Sequence, residues 1–176
     1  MSAGSPRILV AGIGNVFFGD DGFGVVAANR LAALALPEGV VVEDYGIRGV
    51  HLAYDLCQGY DALVLVDAMP MGNEPPGTVM LLEPDRTPSV APDGPVSVMD
   101  AHTMSPLVVL TTMANLGGSV GKVFVVGCQP ATIEEGIGLS EPVSEAVDRA
   151  VEMVNDLLTA LVGRASTGEC QAAGTQ

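Results

Sequence analysis

Short apolar runs recur along the chain, separated by longer segments whose apolar residues fall at helical spacing. Ile8–Ala11 is the first such run, and Phe23, Val26, Ala27, Leu31 and Leu34 after it suit one face of a helix. Val40–Val42 predicts a second strand ending in Glu43–Asp44, and His51–Leu56 a short helix. Ala62–Val66 is a fully apolar strand stopping at Asp67. Thr78–Leu82 is brief and approached by a turn over Asn73–Gly77, which suits an antiparallel or edge strand. Ser105–Pro106 is a helix start with proline at the first helical position, and that helix runs to Gly117–Gly118. Lys122–Gly127 predicts the last strand. Ser140 is placed to cap a final helix whose apolar positions Val143, Val147, Ala150, Val151, Val154, Leu158 and Leu161 keep helical spacing.

Continuous apolar strands alternating with helices imply a mostly parallel sheet covered on both faces. The expected fold is therefore α/β: a three-layer sandwich of about five strands flanked by helices, of the phosphorylase/hydrolase-like kind. Residues 1–163 form a single domain in this reading, Gly163 ends the last helix, and 164–176 is a disordered tail. The proline-punctuated stretch Glu83–Ala101 lacks periodicity and is long for a loop, which marks it as functional or mobile.

Composition narrows the function. With 48% hydrophobic and 16% charged residues the chain is globular. A net charge of −14 opposes nucleic-acid binding, because the phosphate attraction that supplies most such affinity is reversed in sign. The apolar runs are too short to span a membrane. Met1–Val10 leads into the first strand without a secretory pattern, and Cys57, Cys128 and Cys170 are widely spaced with no C-x-x-C pair, which together suit a reducing cytoplasm. Cys128, at a strand end, reads as a small core residue rather than a nucleophile.

The candidate chemistry gathers where strands end, since ligands of open α/β sheets bind beyond the carboxyl ends. Between the first strand and helix lies Gly12–Gly24, reading GIGNVFFGDDGFG. A dinucleotide fingerprint would need glycine where Phe17 stands, and a P-loop would need lysine and serine or threonine where Asp20 and Asp21 stand. An acid pair repels phosphate and suits a cation; one of the two acids is accounted for as a helix cap. Asp44 follows the second strand, where it faces a cation or pins an Asx-turn. Asp67 ends the third, and His102 enters from the long loop. Such an Asp/Asp/His set suits zinc, nickel, manganese or iron more than copper(I).

These motifs resemble the hydrogenase maturation proteases, the endopeptidases that trim the C-terminus of nickel–iron hydrogenase large subunits. The resemblance rests on GIGNVFFGDDGFG, on Asp44–Tyr45–Gly46 with Gly49, on LVLVDAM around Asp67, on His102, on Gly127–Cys128–Gln129–Pro130 and on Gly138–Leu139–Ser140. It implies catalytic and metal-contacting roles for Asp21, Asp67 and His102, and leaves Asp20 to the cap or the loop. It implies a substrate-facing loop at Asp44, Gly46 and Gly49, where Ile47 and Arg48 depart from the Gly-Gly-Thr of some members. It further implies that the metal is nickel, presented by the hydrogenase large-subunit precursor rather than resident in the protease. A non-catalytic nickel checkpoint or chaperone binding the same precursor is the rival function.

Overall fold

The computed structural model describes residues 5–84 and 106–167. Five strands form one sheet: β1 (Ile8–Ile13), β2 (Val40–Gly46), β3 (Tyr60–Ala68), β4 (Val79–Leu82) and β5 (Val120–Cys128), in the order β2-β1-β3-β5-β4. β1, β2, β3 and β5 are parallel, and β4 closes one edge antiparallel to β5. The helices are α1 (Phe23–Ala32), α2 (Gly49–Leu56), α3 (Pro106–Asn115) and α4 (Glu141–Thr167). This is the expected mostly parallel sheet with flanking helices.

Strand alternation sorts the core into two halves. Ile8 and Val10 of β1, with Ala62, Val64 and Val66 of β3, face Phe23, Ala27 and Leu31 of α1 and Val143, Val147 and Val154 of α4. Leu9, Ala11 and Ile13, with Leu63 and Leu65, face Leu52 and Leu56 of α2 and Val109 and Met113 of α3. The central strands are buried on both sides because successive side chains point to opposite faces. Edge strand β2 shows an alternation of exposed and half-buried positions instead.

Several boundaries move relative to the pattern-based reading. β2 runs on past Asp44 to Gly46, and β3 takes in Asp67 and ends at Ala68, because backbone pairing continues past the apolar run: Asp44 lies opposite Gly12 and Asp67 opposite Gly127. The last helix passes through Gly163 to Thr167. An exposed glycine costs a helix only about 1 kcal/mol relative to alanine, too little to stop one whose Leu157, Leu161 and Val162 still pack on the core. A Cβ at Gly163 would meet nothing within 4 Å, so Gly163→Ala should stabilise the protein by about 0.5–1 kcal/mol in denaturant unfolding. A decrease in stability would show that the helix is not continuous there. Residues 168–176, and 85–101 of the proline-punctuated stretch, lie outside the described residues.

Candidate functional site

The strand order changes direction at β1, whose two neighbours β2 and β3 lead off to opposite sides, so the crevice of this doubly wound sheet opens at the carboxyl ends of β1 and β3. Asp21 follows β1 and Asp67 sits near the end of β3, one residue beyond the Gly12–Val66 pairing. The two glycine-bearing loops are joined there by Gly14 N–H donating to the Gly46 carbonyl at 3.0 Å.

The glycines of the first loop serve packing rather than phosphate. A Cβ at Gly24 would lie 2.1 Å from the Val66 carbonyl oxygen and 2.3 Å from that of Ile13, so α1 rests backbone-to-backbone on the ends of β1 and β3. Seven of the loop amides already have partners. Gly14 donates to Gly46, Asn15 to the Asp21 carboxylate, Phe17 to the Asn15 side chain, and Phe18 to the Asn15 carbonyl. Gly19 donates to Gly136, Asp20 to Thr132 and Asp21 to Phe18. A phosphate cradle needs such groups free and pointing outward.

The acid pair divides sharply. Asp20 is fully buried and is no helix cap: α1 is preceded by a 3-10 turn over Gly19–Gly22, and neither element has a side-chain cap bond. Its carboxylate instead accepts four bonds from the loop between β5 and α4. Ala131 N donates at 2.8 Å, Thr132 N at 3.1 Å, Ser140 N at 2.6 Å and Ser140 Oγ at 2.8 Å. Burial pushes its acidity down, but the bonds from Ser140, Thr132 and Ala131 outweigh it and hold the carboxyl below its ordinary pKa. Ser140 does stand directly before α4, with its carbonyl accepting from Ser144 N, and its hydroxyl goes to Asp20.

Asp21 is half-buried and accepts from Asn15 N at 2.8 Å. Asp67 is 9% exposed, and burial, then the charge of Asp21, push its pKa up to about 8, against a smaller opposing bond from Ala68 N. Burial, with the neighbouring Asp21 charge, thus favours the protonated form of Asp67 at neutral pH. A divalent cation would compete with that proton, because the carboxylate form of each side chain is an oxygen donor and the added positive charge favours ionisation. His102 lies outside the described residues, and among those described no group of three His, Cys, Asp or Glu side chains is placed to hold a metal.

The second loop is built against itself. Asp44 is half-buried at the end of β2, opposite Gly12 of β1. Arg48 donates through Nε to the Tyr45 carbonyl at 3.1 Å and through Nη2 to that of Asp44. Tyr45 OH donates to Asp55 at 2.7 Å, tying the strand to α2; burial and that bond raise the phenol's pKa. Ile47 stays 61% exposed. Gly46 takes the left-handed φ of +53° in this turn, and Gly49 opens α2. Burial, reinforced by the charge of Asp20, pushes the Cys128 thiol up to about 11, so it supplies no thiolate at neutral pH.

What pattern reading missed was Asp20. Its partners lie 111 to 120 residues away, and only burial next to a capping-type serine identifies it.

Two acidic side chains, Asp21 and Asp67, at the switch point of a doubly wound sheet define an α/β protein with an acidic crevice at its carboxyl edge. A family model described as hydrogenase maturation protease matches residues 25–157. The hydrogenase 2 maturation protease of Escherichia coli is 30% identical over 149 residues, covering 84% of this chain and 88% of that protein. The hydrogenase expression/formation protein HupD of Rhizobium leguminosarum is 33% identical over 150 residues, 84% of this chain and 72% of its own. Among solved structures, the hydrogenase maturating endopeptidase HybD of E. coli superposes with a TM-score of 0.70 at 29% identity, covering 88% of this chain and 93% of that one. The chain belongs to the hydrogenase maturation protease family, and its activity is that of a hydrolase. No helix among the described residues is long and apolar enough to cross a membrane.

Proposed function

We propose that this protein is a nickel-dependent endopeptidase that removes the C-terminal extension of a nickel–iron hydrogenase large-subunit precursor in the cytoplasm. The nickel belongs to the precursor, and Asp21, Asp67 and His102 are the side chains that meet it. The observation that carries this reading is the convergence of Asp21 and Asp67 at the β1/β3 crevice, with Asp67 protonated at neutral pH through burial and the neighbouring charge. Titratable groups perturbed in this manner mark functional sites.

In this reading the cation supplies Lewis-acid polarisation of the scissile carbonyl. Asp21, fixed by the Asn15 amide, presents its other oxygen to the incoming ion. Asp67 would release its proton to solvent as the charge arrives, and its carboxylate would then act as a base, accepting a proton from the attacking water. Asp44 and the Gly46–Gly49 turn border the same crevice and contact the precursor chain.

The test is mass spectrometry of nickel-loaded precursor incubated with wild-type, Asp21→Asn and His102→Ala proteins. Wild type is expected to shorten the precursor, and each variant to slow this at least about 100-fold. Normal cleavage by the variants overturns the site assignment. A precursor that wild type binds but leaves at full mass favours the checkpoint function instead.

A further inference from the structure

Beside the acid pair lies an apolar cluster that the hydrolytic chemistry does not use. Val16, Phe17 and Phe18 on the β1–α1 loop are 37%, 60% and 43% exposed, and Ile133 and Ile137 on the β5–α4 loop are 46% and 83% exposed. A single exposed apolar side chain carries little information. These five stand on two loops bonded to one another. Gly136 N donates to the Phe17 carbonyl at 2.8 Å, Gly19 N donates to the Gly136 carbonyl at 2.8 Å, and Phe18 and Gly136 form a parallel bridge. Asp20 pins the same two loops from within through Ala131, Thr132 and Ser140. The backbone is therefore committed before any partner arrives, and it holds the rings and branched chains outward.

We propose that this two-loop wall is the docking surface for the protein substrate, taking a segment of the precursor that presents apolar side chains next to basic ones. The proposal rests on the function proposed above. Continuity argues for the occupant: Asn15 N donates to the Asp21 carboxylate at 2.8 Å and the Asn15 side chain accepts from Phe17 N at 3.0 Å, so the wall adjoins the proposed site. Charge argues for its chemistry, since Glu134 and Glu135 are exposed on the same loop of a protein with net charge −14. The same charge disfavours a second copy of this chain. Rigidity lowers the ordering cost of docking, which is how a small apolar anchor becomes effective.

The experiment compares wild type with the double variant Phe17→Ser/Ile137→Ser and with Glu134→Lys/Glu135→Lys, using nickel-loaded precursor as the probe. Both apolar side chains are largely exposed, so the melting temperature is expected to hold. KM for cleavage and Kd for binding should each rise at least about tenfold in the apolar variant. In the charge variant they should rise with a weaker dependence on salt. A wild type that cleaves the precursor, with variants unchanged in KM and Kd, overturns the docking surface and leaves the protease function standing. A wild type that neither binds nor cleaves overturns both. A wild-type dimer that the apolar variant converts to monomer assigns the wall to self-association and overturns the proposal.

Discussion

Asp67→Asn is expected to stabilise the cation-free protein, and to do so increasingly as pH rises from about 4 to 8. The sign follows from proton linkage. Folding lifts the Asp67 pKa to about 8, against about 3.9 in an unfolded chain. Between those values the native state holds a proton that the unfolded state has released, so wild-type stability falls as pH rises through the window. Below about pH 4 both states are protonated and no penalty exists; above about pH 8 the whole penalty is present. Asparagine keeps the shape of the protonated acid and does not titrate. Each pKa unit corresponds to about 1.4 kcal/mol, so the gap at high pH is on the order of several kcal/mol, and each kcal/mol moves the melting temperature of a chain this size by roughly 2–4 °C. Thermal melts of both proteins across the pH range check it, and parallel curves would contradict it. The same substitution should abolish cleavage, so stability and activity would move in opposite directions, as expected of a side chain strained for function.

Asp20→Ala has the opposite consequence. Removing the carboxylate orphans the Ala131, Thr132 and Ser140 amides and the Ser140 hydroxyl together. Breaking a buried, charge-assisted set of this kind costs on the order of 3–5 kcal/mol, well beyond the ~1 kcal/mol of a lost helix cap. The denaturant midpoint should drop accordingly with the slope unchanged; a loss near 1 kcal/mol would restore the capping role. The pH dependence is again set by linkage. Because folding lowers the Asp20 pKa, its stabilisation is complete above the unfolded value near 4 and is lost as pH falls through the folded one. Wild type and Asp20→Ala should therefore converge in acid, whereas wild type and Asp67→Asn diverge in base.

Asp20 and Asp21 are neighbours of identical type, and nothing in their spacing says which one the protein buries. The acid pair, Asp67 at a strand end and the glycine-punctuated loops were legible because strand periodicity locates the carboxyl edge of the sheet, where open α/β proteins keep their ligands. The edge position of Val79–Leu82 was legible from its length and its approaching turn. Gly163 misled as a helix stop, since local propensity of about 1 kcal/mol yields to packing further along the same face.

The sequence alone determined the layering of the fold, the family and the location of the acidic edge, all of which depend on patterns within a few residues of one another. Only tertiary structure decided that Asp20 staples two loops while Asp21 raises the pKa of Asp67, and that Phe17 and Ile137 share one surface. Those outcomes depend on contacts between segments far apart in the chain, up to 120 residues for Asp20 and Ser140. Burial, and hence dielectric and hydrogen-bond supply, is fixed by which segments meet and not by which residues are adjacent in the chain.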